Sequence, residues 1–307
     1  SSDRAREVSS WHIGLVGHGE VGGIFAAGLR SKAASVAAWD LKFAQPATRE
    51  SEIARARAAD VRACESMQAL CEASNLVISA VTASNTLAVA EEAARHLRPG
   101  TLFLDLNSAS PGTKQQAAAL VDARGAHYVE AGVMTSVPPY GIRVPMLLGG
   151  AHAARLHPML AGLGMDTRVA SDRLGIASAT KMCRSVMIKG LEALVIESYT
   201  AARHYGVEDA MIATLQETFP GIDWTKQGAY FFSRVAQHGR RRAEEMREVA
   251  NTVREAGFEP FMAAAIAGKH DWMAGQARAG HFAGLGPAPA WQAFADRLLA
   301  SRPAAND

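Results

Sequence analysis

A chain of 307 residues with 49% apolar and 20% charged residues has room for two domains with ordinary globular cores. Its 32 lysines and arginines against 30 acids give a net charge of +2, too little to recruit nucleic acid; the one basic run, Arg240, Arg241 and Arg242, is followed by Glu244 and Glu245, as on a solvated helix face. Three cysteines, Cys64, Cys71 and Cys183, without C-x-x-C spacing or a histidine cluster, argue against a disulfide framework and a zinc site and fit a reducing compartment.

The first ten residues, SSDRAREVSS, are polar and read as a tail. From Trp11 onward, short apolar runs alternate with helical patterns. HIGLV (12–16), SVAAW (35–39), NLVISAV (75–81), TLFLDL (101–106), HYVEAGV (127–133), VPMLLGG (144–150) and a weaker DTRVA (166–170) read as strands. Between them FAAGLRSKA, TRESEIARARAA, SMQALCEA, TLAVAEEAARHL, TKQQAAALVDA and ARLHPMLAGL repeat apolar residues at helical intervals. Runs apolar throughout and joined by helices predict a parallel sheet covered on both faces, the doubly wound Rossmann arrangement over 11–173. Residues 174–204 then predict one long helix. Val186, Met187, Ile188, Leu191, Leu194, Val195 and Ile196 make it apolar all round, and therefore buried on every side, as a spine between domains or against a second subunit. Its Lys181, Arg184, Lys189 and Glu192 exclude a membrane span. The rest, 205–300, reads as an all-helical substrate and dimerisation domain with breaks near Gly206, Pro220–Gly221, Gly257–Pro260 and Gly286–Pro287, before a frayed SRPAAND. A cytoplasmic protein is expected.

The stretch IGLVGHGEVGG places Gly17, Gly19 and Gly22 at G-x-G-x-x-G spacing between a strand and a helix, and Asp40 follows the next strand. That context predicts a dinucleotide site. Gly17 permits the tight turn, Gly19 lets the backbone approach a pyrophosphate, and Gly22 lets helix and strand pack. The N–H groups at the helix start then hold the phosphates. The expected cofactor residues are Gly17, His18, Gly19, Glu20, Val21, Gly22 and Asp40, with Ala80, Val81 and Thr82 of SAVTASN and Asn107 at neighbouring strand ends. Asp40 is suited to accept hydrogen bonds from both ribose hydroxyls and to repel a 2′-phosphate, which favours NAD; Lys42 and Arg30 keep NADP open.

A dinucleotide carries the hydride, so the chain must add a proton partner and a grip on substrate. In DLNSASPGTK, Ser110 before Pro111 reads as a helix cap, while Asn107 and Ser108 precede the cap and are candidates for ligand contact. In EAGVMTSVPPYGIRVPMLLGG, Gly132, Val133, Met134, Thr135 and Ser136, with Gly141, form a loop whose N–H groups can face a carboxylate; Tyr140 fits a substrate wall and surface packing equally. In GIASATKMCRSVMIKG, Lys181 sits one turn before Ser185 on the same face. A helix amino-terminal half and the apolar neighbours Ala179, Met182 and Cys183 both lower a lysine's pKa toward the range of general acid–base work. Lys189, two turns on, is a second candidate.

With these stretches in view, the chain resembles the β-hydroxyacid dehydrogenases, the group of 3-hydroxyisobutyrate and 6-phosphogluconate dehydrogenases, and within them a phosphogluconate-dehydrogenase-like branch with a distinctive carboxy-terminal domain. IGLVGHGEVG is similar to the family's G-x-G-x-x-G opening. DLNSASP is similar to its D-x-S-T-x-x-P substrate loop, with Asn107 and Ser108 at the Ser-Thr positions. GIASATKMCRS is similar to its G-x-G-x-x-x-K-x-x-x-N helix, which implies that Lys181 exchanges a proton with a substrate hydroxyl or carbonyl. Against the family pattern, Ser185 stands for the substrate asparagine and Ala177 for the second glycine. Met134, Thr135 and Ser136 replace S-G-G, and Arg242 with Glu245 stands where a Lys-Asp pair is usual.

The resemblance implies an NAD(P)-dependent oxidoreductase acting on a β-hydroxy (or β-oxo) carboxylic acid. Lys181 is the expected general acid–base; Asn107, Ser108, residues 132–136, Ser185 and Arg242 are the expected substrate contacts. The partners expected are a small hydroxy acid and a second copy of the chain, with no nucleic acid and no membrane. Trp224, Tyr230, Phe231 and Phe232 fit either core or a cleft for a larger acid. Two rivals stand beside this reading: an imine reductase, in which the lysine position usually holds another residue, and a cofactor-binding regulator without turnover.

Overall fold

A computed structural model describes residues 10–304, and most of the polar stretch read as a tail lies outside them. The chain divides into two compact units, residues 1–182 and 183–307.

In the first unit β1 (His12–Val16) leads into α1 (Glu20–Leu29), then β2 (Ser35–Trp39), α2 (Arg49–Ala58) and the two-residue β3 (Arg62–Ala63). After α3 (Met67–Ala73) and β4 (Leu76–Ser79) come α4 (Thr86–Ala94), β5 (Leu102–Asp105), α5 (Pro111–Asp122) and β6 (His127–Val133). β7 (Met146–Gly149), α6 (Ala153–Gly162) and β8 (Thr167–Ser171) complete the sheet. Its order is β3-β2-β1-β4-β5-β6-β7-β8. β1 to β6 are parallel, and the order reverses beside β1, the switch point at which doubly wound sheets bind ligands. Buried Val, Ile, Leu and Phe fill both faces of these strands, as a covered parallel sheet requires.

The sheet is not parallel throughout, as the apolar runs had predicted. β7 pairs antiparallel with β6, and β8 runs parallel to β7. The link from β6 to β7, residues 134–145, holds one 3₁₀ turn at Gly141–Arg143 and no crossover helix. Such a link turns the chain back beside β6, where a parallel return would need a crossover over the sheet.

α7 (Ile176–Tyr205) starts in the first unit and continues in the second. The second unit adds α8 (Glu208–Thr218), α9 (Trp224–Glu255), α10 (Phe261–Arg278) and α11 (Trp291–Ala300), broken where glycine and proline interrupt the helical pattern. Its core gathers Val195, Ile196, Tyr199, Trp224, Phe232 and Trp291. Trp224 and Phe232 of the aromatic group are thus core, Phe231 packs against them, and Tyr230 is exposed. α7 is not buried on every side within one chain: Met187 is 65% and Leu194 55% exposed. No helix among the described residues is long and apolar enough to cross a membrane.

Candidate functional site

β1 runs directly into Gly17, whose φ of +95° favours glycine. A Cβ there would stand 2.2 Å from the Ala80 carbonyl oxygen, and one on Gly22 would stand 2.0 Å from that of Gly17. Packing alone accounts for both glycines. Gly19 differs, because a Cβ there would meet nothing within 4 Å. The open space over Gly19 is the approach a pyrophosphate needs. Gly19 is also the N-cap of α1 and no side chain caps that helix, so the first-turn N–H groups keep their affinity for an anion. Glu20 and Val21 form that first turn. These residues fit a dinucleotide.

Asp40 follows β2 beside the glycine loop. Its Oδ2 accepts from the His18 N–H at 2.7 Å and its Oδ1 from the Lys42 N–H at 2.9 Å, which aims the carboxylate at the glycine loop. Each oxygen retains a lone pair for a ribose hydroxyl. The Arg55 guanidinium reaches the His18 carbonyl and Glu52. His18 is buried, both ring nitrogens lack partners among the described residues, and burial followed by the Arg55 charge lowers its pKa. Arg30 is committed to Asp60 at 2.9 Å.

At the ends of β4 and β5, Asn107 is buried and its amide joins the two strands. Oδ1 accepts from the Val81 N–H at 2.7 Å and Nδ2 donates to Ser79 Oγ at 2.9 Å. One N–H of that amide remains for a ligand. Beneath it Asp105 is almost fully buried and accepts from the Asn107 N–H, the Tyr128 hydroxyl (2.6 Å) and Lys114 Nζ (3.1 Å). Burial and then the Asp105 charge raise the Tyr128 pKa. Ser110 caps α5 as expected, accepting from the Thr113 N–H with Pro111 opening the helix. Ala80 and Val81 are half-buried and Thr82 exposed at the carboxyl end of β4.

Ser108 stands half-exposed between Asn107 and the cap, and Lys181 Nζ donates to its Oγ at 2.8 Å. Two residues 73 positions apart, each singled out from a different motif, thus meet beyond the carboxyl end of β5. Gly132 lies beneath: a Cβ there would sit 3.4 Å from Lys181 Cβ and 3.1 Å from the Ala177 carbonyl oxygen. Val133, Met134 and Ser136 are half-buried and Thr135 is exposed, with the Met134 N–H spent on Pro145. Tyr140 is exposed.

The motif reading passed over Glu130. This fully buried carboxylate on β6 accepts from the Gly175 N–H (3.0 Å), the Ser178 N–H (3.1 Å) and the Ser178 hydroxyl (3.2 Å) at the start of the lysine helix. An acid inside an otherwise apolar strand was the available signal, because a buried carboxylate requires partners.

In the second unit Ser185 is buried. The family comparison implied Arg242 with Glu245, and the partner the structure gives Arg242 is another acid. Its guanidinium is buried against Glu192, while Glu245 meets Lys189 at 3.2 Å. Arg242 and Glu192 bury each other's charge, whereas Glu245 is partly exposed and stabilises a lysine.

The NAD binding domain of 6-phosphogluconate dehydrogenase matches residues 12–167. The chain belongs to the β-hydroxyacid dehydrogenase family. Its branch carries a second match, a domain of unknown function (DUF1932), at residues 202–273. A conserved hypothetical protein from Sinorhizobium meliloti 1021 is 36% identical over 95% of this chain and 96% of its own, with a TM-score of 0.74. The conserved protein MTH1747, described as structurally similar to 3-hydroxyacid dehydrogenases, is 32% identical over 87% of this chain and 98% of its own, with a TM-score of 0.67. Mycobacterium tuberculosis 3-hydroxyisobutyrate dehydrogenase shares the fold: 16% identity, 94% and 99% coverage, TM-score 0.72. Family membership makes the first unit an NAD(P)-binding domain.

Proposed function

We propose that this protein is an NAD-dependent oxidoreductase of β-hydroxy (or β-oxo) carboxylic acids, with Lys181 as general acid–base. The observation that carries the reading is the 2.8 Å contact from Lys181 Nζ to Ser108 Oγ. It holds a proton-transfer group against the substrate loop, on the sheet edge that also carries the glycine loop. When bound, the dinucleotide supplies or takes the hydride at the substrate carbon. Lys181 gives a proton to the carbonyl oxygen during reduction and removes one from the hydroxyl during oxidation. Ser108 orients the lysine and, through its hydroxyl, the acid. The remaining Asn107 N–H and the loop 132–136 are the further contacts assigned to the substrate.

NAD is favoured over NADP because the Asp40 carboxylate points at the glycine loop and a 2′-phosphate would meet its charge. Arg30, one of the two nearby cations that could have offset it, is held by Asp60.

A spectrophotometric panel of 3-hydroxy acids, sugar acids and aryl hydroxy acids, with their oxo forms and with imines, run with both cofactors, tests the reading. Turnover of at least one hydroxy acid with NAD, and its loss by about 10²–10⁴-fold in Lys181→Ala with NADH affinity kept, is expected. Turnover of imines alone assigns the protein to the imine reductases and overturns the proposal. NADH binding without turnover of any panel member overturns it in favour of a regulator.

A further inference from the structure

Resting on that reading of Lys181, we infer that Glu130 is a positioning residue for proton transfer: by clamping the first turn of α7 to β6, it sets where the lysine ammonium stands. Glu130 and Gly132 are two apart on β6 and so face the same side of the sheet. Glu130 takes hydrogen bonds from Gly175 and Ser178; Gly132 lies against Ala177 and Lys181. Strand and helix therefore run alongside each other in the same direction. One strand face thus fixes both the axial position and the rotation of the helix start.

Room for the clamp comes from a third residue. Gly149 is paired directly with Glu130 across β6 and β7, and a Cβ on it would stand 2.7 Å from Glu130 Oε1. The bond from Ser178 Oγ to Glu130 has a second acceptor in the Gly175 carbonyl at 3.1 Å, which ties the hydroxyl to the same turn. A lysine on a long flexible stem gains a defined position only if its Cα is fixed, and a misplacement of about 1 Å can cost on the order of 10²-fold in rate.

The test uses the full-length protein and the panel's best hydroxy acid. Glu130→Gln keeps the shape but turns an amide NH₂ toward donors it cannot accept from. Its kcat should fall about 10²-fold with the KM for NAD unchanged. The solvent deuterium isotope effect on kcat should rise, because a misaligned proton transfer becomes limiting. Ser178→Ala, a smaller lesion that keeps the carboxylate and both backbone bonds, should give the same pattern at a few-fold loss and covers the case in which Glu130→Gln fails to fold. Amide exchange of peptide 174–183 should quicken in both variants while the strand peptides keep wild-type protection, a readout independent of turnover. If Lys181→Ala is inactive and Glu130→Gln or Ser178→Ala retains wild-type kcat and isotope effect, the positioning role is overturned and the lysine reading stands. If Lys181→Ala turns over like wild type, the lysine reading fails and this inference with it, whatever exchange shows.

Discussion

The two units handle buried charge in opposite ways. In the first, Asp105 is enclosed by Lys114, Tyr128 and Asn107, and Glu130 by Gly175 and Ser178, so each buried carboxylate is surrounded by donors. In the second, among the described residues, the Arg242–Glu192 pair leaves Nε and Oε2 without partners, and His270, wholly buried, has neither ring nitrogen paired. Exposed apolar side chains are divided in the same sense. Met187, Leu194, Phe258, Phe261 and Met262 stand out on the second unit, whereas Leu41, Tyr140 and Val169 are the large ones exposed on the first. The sheet unit surrounds its buried carboxylates with donors of its own, and among the described residues its buried side-chain atoms without partners are the two ring nitrogens of His18. The helical unit does not surround Glu192 in this way, and its uncovered surface is where a second copy is proposed to pack.

Breaking the buried pairs sharpens this contrast most. Arg242→Met strands Glu192 in the core and should cost about 3–5 kcal/mol in urea unfolding, whereas the Arg242→Met/Glu192→Leu double variant should recover most of it. Asp105→Asn should cost a similar amount through Lys114, without a two-residue apolar rescue, since Tyr128 and Asn107 also depend on that carboxylate. Equal stability of either single variant and wild type would remove the distinction drawn between the two networks.

The next effect is pH-dependent. Burial, then Arg242 and Lys189, lower the His270 pKa to about 3 from 6.5. The folded-state value is depressed, so the unfolded chain takes up the proton first as pH falls. The stability contributed by neutral His270 is therefore full above about 6.5 and is lost as pH falls from there toward 3, at up to about 1.4 kcal/mol per pH unit. His270→Phe should flatten the decline in Tm between pH 6.5 and 5; an unchanged slope would assign the decline to other groups.

Smaller still, Ser110→Ala should cost about 1 kcal/mol by uncapping α5. Leu194→Glu should leave the single-chain fold intact, because that side chain is already exposed, and should lower the mass measured by light scattering to that of one chain. A wild-type protein already monomeric at micromolar concentration would sink the second-copy proposal.

Much of the first unit was legible because its signals are local. A strand apolar at every position and a glycine turn each occupy a few consecutive residues, and β1 covers the HIGLV run, while α1 opens at the glycine loop, ahead of the FAAGLRSKA pattern. The direction of β7 was not legible, since an apolar run looks the same whichever way it is traversed. Pairings also escaped the motif reading. Arg242 lies three residues from Glu245 and fifty from Glu192, yet the helix packing joins it to the distant acid. Asn107 stood out as a ligand contact, but two neighbouring strand ends take up most of its amide.

By itself the amino-acid order determined the nucleotide-binding architecture and singled out Lys181 and Ser108, because backbone conformation and side-chain chemistry belong to individual residues and short stretches. Tertiary packing alone decided that the lysine and the serine touch, and that Glu130 meets the start of the lysine helix, because a hydrogen bond across 73 or 48 positions exists only once separate elements have been brought side by side.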